Sequence, residues 1–209
     1  MILDAFLAAV APPLCWCCHS PARLREPLCA GCRARLGWLG QAMVLVAGVP
    51  AWAPVAYDGP ARELVKGLKF RGAAGLADAM AAQVVAGAPD GLLEGAALVP
   101  VPLHGRRLRR RGFNQAERLA LAIAARAGLE CAPCLRRLGP AKPQVGRPRA
   151  ERLEAVRESI EATSAAPRRA ILVDDVITTG GTLAACAAAL RNAGARDVAA
   201  VAYARTLGR

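Results

Sequence analysis

Apolar and polar positions follow two periods along the chain. Residues 61–70 have helical spacing, with Leu64, Val65 and Leu68 on one side and Arg62, Lys66 and Lys69 on the other. Residues 74–86, 114–127 and 183–193 read as further helices, the last with Arg191 in its final turn and Gly194 as its stop. Residues 52–57, 97–103 and 197–203 read as strands, the second running into a proline-fixed loop. The short apolar run 170–173 suits a buried parallel strand. Asp58-Gly59-Pro60 and Pro89-Asp90-Gly91 are turns. Residues 1–14 read as a short helix, 40–51 as a linker or connecting strand, and 151–161 as a short helix or turn. The polar, basic stretch 136–152 carries three prolines and has the length of a lid or binding loop.

One stretch organises the rest. After the run 170–173 come Asp174 and Asp175, then Val176, Ile177, Thr178, Thr179, Gly180, Gly181 and Thr182, then the helix. Glycines admit positive φ and close approach of a ligand. Successive amides in such a turn, with a helix N-terminus behind them, form an anion nest. Carboxylates at a strand's end suit hydroxyls or a hard cation such as Mg²⁺. A phosphorylated sugar satisfies both halves. An ordinary polar turn is the bland alternative, but two charges desolvated without partners cost several kcal/mol. The spacing is neither that of a P-loop nor that of a dinucleotide fingerprint. It resembles the phosphoribosyl pyrophosphate (PRPP) loop of type I phosphoribosyltransferases. In that family the acidic pair holds the ribose hydroxyls and the Thr/Gly turn holds the 5′-phosphate.

Charge sharpens the picture. The 209 residues carry a net charge of +12, and residues 95–150 hold twelve Lys or Arg against two acids. Such clustering favours a polyanion, whether nucleic acid or a substrate with several phosphates. Within that span lies His104-Gly-Arg-Arg-Leu-Arg-Arg-Arg-Gly-Phe-Asn-Gln115, with Arg106, Arg107, Arg109, Arg110 and Arg111 before Gly112. Guanidinium forks match phosphates, and Arg110 and Arg111 are the favoured grips. No stretch is long and apolar enough to span a membrane, and the N-terminus lacks the basic residues of a signal peptide, so the expected compartment is the cytoplasm.

Cys15, Cys18, Cys29 and Cys32 form two Cys-x2-Cys pairs ten residues apart. Two such turns make a tetrahedral thiolate site suited to structural Zn²⁺. Disulfides are the alternative, but nothing in the sequence supports an oxidising compartment. Spacing leaves Cys17 as a spare thiol and His19 as a surface residue. Cys131, Cys134 and Cys186 read as structural thiols, with no further pair to complete a second metal site.

Nearly end to end, the chain resembles the ComF family of competence-related, phosphoribosyltransferase-like proteins. The residues that carry the resemblance are the four cysteines, Leu98-Val-Pro-Val-Pro102, Arg111-Gly-Phe-Asn-Gln115, Gln144, and Asp174 through Thr182. His19 stands where that family commonly has Gly, and Glu151-Arg-Leu-Glu154 carries Glu where it usually has Asn. The resemblance implies a type I phosphoribosyltransferase fold, α/β with a mainly parallel sheet, behind a small zinc ribbon. It implies two units, residues 1–48 and 49–209. It implies PRPP binding by Asp174, Asp175, Val176, Thr178, Thr179, Gly180, Gly181, Thr182, Arg110 and Gln115, with Mg²⁺ reaching Asp174 and Asp175 through PRPP. Asp174, Asp175 and Arg111 are then the catalytic candidates. The partners implied are a phosphoribosyl ligand, single-stranded DNA and DNA-uptake proteins.

Three functions compete. A Mg²⁺-dependent phosphoribosyltransferase would position the sugar on the acids and stabilise departing pyrophosphate with arginines; no general base or aromatic hood for a nucleobase is evident. A single-stranded DNA-binding factor would use the basic span, with little stacking from only eight aromatic residues. A zinc-module adaptor would lose assembly on Cys15→Ser and be indifferent to Asp175→Ala.

Overall fold

The computed structural model describes residues 13–24, 26–70, 74–138 and 160–207. The expected helix over 1–14, apart from Pro13 and Leu14, lies outside the described residues, as do Gln144, residues 139–152 of the basic stretch and residues 151–159 of the helix or turn expected over 151–161. In chain order the elements are α1 (Ala30–Ala34), β1 (Val44–Val46), β2 (Val49–Trp52), β3 (Val55–Ala56), α2 (Gly59–Phe70), α3 (Ala74–Gly87) and β4 (Ala97–Pro100). They continue with α4 (Gly105–Arg111), α5 (Gln115–Ala127), β5 (Glu130–Cys131), β6 (Leu135–Arg137), β7 (Ile160–Ala162), β8 (Arg169–Ile177), α6 (Gly181–Asn192) and β9 (Asp197–Arg205).

The central sheet runs β1-β2-β9-β8-β4-β5, with β3 also on β9; every pairing is parallel except β1 with β2. Alternation along β8 splits the core. Ile171 and Val173 join Leu98, Tyr203 and the apolar sides of α2, α3 and α5. Ala170 and Leu172 join Val99, Ala200, Ala202 and the buried side of α6; Ile177, at the strand's end, joins them out of alternation. Both faces are covered, which is why the central strands are apolar at nearly every position. The α/β architecture expected from the sequence, a mostly parallel sheet flanked by helices, is therefore present. β6 and β7 form a separate antiparallel ribbon, and Ile160 and Glu161, the end of the segment expected as a short helix or turn, lie in β7.

Two strand ends that differ from expectation shape the site. β8 does not end at Val173: it runs to Ile177, with Asp174 inside the strand opposite Ala202 of β9. On the other side β4 stops at Pro100, opposite Val173, with one more bond from Val101 N to Val173 O. Pro102 has no N–H with which to extend that ladder. The last residues of β8 thus keep a neighbour on one edge only, and a notch opens beside the acids.

Residues 40–51, expected as a linker or connecting strand, are strand over half of their length. They contain the β1–β2 hairpin, whose turn residues Ala47 and Gly48 take φ of 50° and 80°. Two left-handed residues are what a tight hairpin matching the sheet's twist requires. The expected boundary at residue 48 cuts through this turn.

Nor does the cysteine segment stand apart. Cys15, Leu28, Cys32 and Leu36 share one buried cluster with Leu64, Val65 and Leu68 of α2. Gly67 of α2 makes room for Trp16: a methyl there would sit 2.9 Å from the indole and 2.6 Å from Leu76. No helix among the described residues is long and apolar enough to cross a membrane.

Candidate functional site

The sheet's connectivity locates a crevice. From β4 the chain passes through α4 and α5 to β5 on one flank; from β8 it passes through α6 to β9 on the other. α5 and α6 cover opposite faces. Strand order therefore reverses between β4 and β8, and open α/β sheets bind ligands outside the carboxyl ends of the strands at such a point. A cleft of about 250 Å³ lies there, lined by Asp174, Asp175, Val176, Thr178 and Thr182 from β8 and its bend. Its other walls are Val101, Pro102 and Leu103 after β4, Arg107 and Arg111 of α4, Gln115 of α5, Lys69 of α2, Tyr57, and Arg137 of β6.

The acids differ in setting. Neighbours on a strand point to opposite faces. Asp175 turns toward α2, is only 3% exposed, and its Oδ2 lies 2.5 Å from Lys69 Nζ. Asp174 Oδ1 accepts a hydrogen bond from the Asp175 amide at 2.7 Å. Asp174 is partly open to the cleft yet densely surrounded by protein. Loss of solvent, then the neighbouring Asp175 charge, pushes its carboxyl well above the usual carboxylate range.

The bend after β8 is shaped by Gly180, which precedes α6 with φ of 77°. A side chain there would overlap Val46 Cγ1 and crowd Ala47 Cβ at 3.1 Å, so the β1–β2 hairpin lies directly against the bend. Gly181 and Thr182, expected in the turn, already belong to the first turn of a 12-residue helix. Thr178 and Thr182 reach the cleft wall, whereas Thr179, Gly180 and Gly181 are not among the lining residues. Hydroxyls, first-turn amides and the helix dipole together form a setting for an anion.

The arginine-rich stretch forms α4. His104 Nδ1 caps it by accepting from the Arg106 amide at 3.2 Å, and Gly112 ends it in the left-handed conformation. The next residues form a joint. Asn114 Oδ1 accepts from the Ala116 amide at 3.1 Å and starts α5, while its Nδ2 donates to Val101 O at 3.0 Å and ties that start to β4. Phe113 lies under the Arg118 guanidinium, 3.7 Å from the ring centre. Gln115, 6% exposed, accepts from Arg111 Nη1 at 2.9 Å.

Helical spacing sorts the arginines. Arg107 and Arg111, four apart, share the side that lines the cleft. Arg110, expected as a ligand, is fully on the solvent side with Arg106 and Arg109 and does not line it. Arg111 also lies 5.0 Å from the Phe70 ring centre. Burial, with Arg107 and Arg110 adding to it, lowers its guanidinium pKa against the opposing pull of Asp175. Arg137 was not singled out by the sequence. It reaches the cleft from the β6–β7 ribbon, and burial followed by repulsion from Arg107 lowers its pKa. The Nε atoms of Arg111 and Arg137 are buried without a hydrogen-bond partner. Two guanidinium edges unsatisfied in one cleft mark a place where an anion would be bound. Lys69 was also missed, because helical spacing assigned it to the solvent side.

The Sγ atoms of Cys15, Cys18, Cys29 and Cys32 lie within 4.8 Å of one another. A Zn–S bond of about 2.3 Å implies tetrahedral S···S edges of roughly 3.8 Å, and Cys18 and Cys29 stand 3.6 Å apart. The set fits a structural Zn²⁺. Arg35 Nη2 donates to Cys32 Sγ at 3.0 Å, offsetting part of the charge four thiolates bring. Cys17 is outside the set and packs toward the core. His19 is exposed with φ of 60°, a left-handed position at which glycine is unstrained. Burial raises the pKa of the Cys131, Cys134 and Cys186 thiols, as suits inert packed groups. For Mg²⁺ the donor set is two hard carboxylates, one already paired with Lys69. That suits a cation completing its shell with ligand phosphates and water. No protein-family model matches this chain, and no curated protein matches it.

Proposed function

We propose that the protein binds PRPP or a closely related phosphoribosyl ligand, as a ComF-type member of the type I phosphoribosyltransferase fold, in the cytoplasm and in the service of DNA uptake or DNA use. The observation that carries this reading is the convergence, in one cleft, of an acidic pair, Thr178 and Thr182 at the start of a helix, and four cationic side chains. In this reading Asp174 and Asp175 hold the ribose hydroxyls. Thr178, Thr182 and the amides of residues 179–182 hold the 5′-phosphate. Arg107, Arg111 and Arg137 face the pyrophosphate, and Gln115 orients Arg111. Mg²⁺, held by the acids and the ligand together, would neutralise charge on the pyrophosphate. If turnover occurs, Asp174, Asp175 and Arg111 are its catalytic residues.

Calorimetric titration of PRPP with and without Mg²⁺, repeated on Asp174→Ala/Asp175→Ala, tests the reading. Saturable binding that the double variant loses supports it; no binding by the zinc-loaded protein overturns it.

A second reading has its own observation. Arg106, Arg109 and Arg110 form an exposed cationic side of α4 outside the cleft. They suit the backbone of single-stranded DNA, with affinity falling steeply as salt rises. No binding of an oligonucleotide at low salt would dismiss it.

A further inference from the structure

We propose that Lys69 is the resident counter-ion of Asp175 and makes the acid pair refuse a divalent cation unless an anionic ligand enters with it. The ion pair is the closest contact of opposite charges in the cleft, 2.5 Å between Lys69 Nζ and Asp175 Oδ2. It is also sheltered, with side-chain exposures of 22% for Lys69 and 5% for Asp175. A carboxylate this buried needs a partner; Lys69 supplies the opposite charge, while Asp175 Oδ2 accepts no hydrogen bond and stays open to a further ligand. Mg²⁺ recruits one or two carboxylates and otherwise relies on water or ligand phosphate. Here one of the two carboxylates is occupied, and Lys69, Arg107, Arg111 and Arg137 line the same space. A bare divalent cation would face these four positive charges with only Asp174 free of a cationic partner, and one Asp174 oxygen already accepts from the Asp175 amide. A polyphosphate reverses the balance, because its oxygens pair with the guanidiniums and complete the metal's shell. Lys69 stands in the last turn of α2 on a flexible four-carbon stem. It can leave Asp175 for a ligand oxygen, exposing the carboxylate as the metal arrives. Lys69 therefore acts through Asp175 as a positioning residue. The proposal borrows from the reading above only the idea that the ligand is a polyphosphate.

The test uses Mn²⁺ as probe, followed by electron paramagnetic resonance on zinc-loaded protein. The wild type should bind Mn²⁺ weakly alone and at least about tenfold more tightly with inorganic pyrophosphate, within the range that ligand charge tunes. Lys69→Gln keeps a donor for the buried carboxylate but removes the charge. It should bind Mn²⁺ alone at least about tenfold more tightly than the wild type. Lys69→Arg should behave as the wild type, and Lys69→Gln/Asp175→Asn should lose the gain. The proposal is overturned if Lys69→Gln leaves Mn²⁺ affinity unchanged, or if the wild type binds Mn²⁺ equally with and without pyrophosphate. The wild-type arm stands even where the variants do not fold. Because PRPP is never added, failure here is distinct from failure of the phosphoribosyl reading, which leaves this result intact.

Discussion

Gly180 shows how one missing side chain couples two elements. Its φ of 77° and the hairpin residues Val46 and Ala47 leave no room for a methyl group. Gly180→Ala should cost about 2 kcal/mol or more, combining left-handed strain with overpacking, and lower the thermal midpoint by several degrees. Scanning calorimetry measures it; an unchanged midpoint would mean that the hairpin yields freely. Asp174 gives a prediction of a different kind. Its carboxyl is pushed well above the usual range by burial and by Asp175. The fold therefore favours the protonated form. That stabilisation is complete below the unfolded-chain value, near about 4, and is lost as pH rises through the raised folded value. Asp174→Asn, which can still accept from the Asp175 amide, should melt higher than the wild type at neutral pH and lose this part of the pH dependence. Melting curves from acid to neutral pH check it. The same substitution should weaken PRPP binding, so stability and binding move in opposite directions at this residue.

Among elements, α2 serves two sites. One part of it receives the cysteine segment through Gly67 and Trp16, and its last turn delivers Lys69 to the cleft and sets the Phe70 ring beside Arg111. Gly67→Ala sets two effects against each other. Helix propensity favours alanine by about 1 kcal/mol, while an added methyl 2.9 Å from the indole and 2.6 Å from Leu76 costs roughly 1–3 kcal/mol. Leu76 can turn aside more easily than the indole, so the net should be a loss of about 1 kcal/mol and a few degrees. A higher melting point would show that Trp16 is loosely seated. The helix was legible from its spacing, because Leu64, Val65 and Leu68 mark one stripe. Its double duty was not, since period alone cannot tell a charged residue in solvent from one lying over the end of a neighbouring strand.

At the level of the whole molecule, the cleft exists because β4 ends where β8 continues, and because the ribbon β6–β7 brings Arg137 to the same crevice as α4. Arg137→Ala should weaken binding of a polyphosphate ligand roughly ten- to a hundredfold, the range for losing a hydrogen bond to a charged group. Arg110→Ala, on the outer side of α4, should leave it within about twofold. Titrations of PRPP into both variants separate the two; equal losses would mean that the ligand lies along the outside of the helix.

The sequence alone determined the chemistry at fixed spacing: the two cysteine pairs, the acidic pair before a Thr/Gly bend, and most of the strands and helices. These are local, since a metal turn, a helix cap or a buried strand is specified by residues within a few positions of one another. Tertiary structure alone decided that Asp174 lies inside β8, that Lys69 rather than solvent faces Asp175, that Arg107 and Arg137 rather than Arg110 line the cleft, and that the hairpin presses on Gly180. Each of these depends on where one element stops beside another distant in sequence, and that is set by the packing of a two-faced sheet.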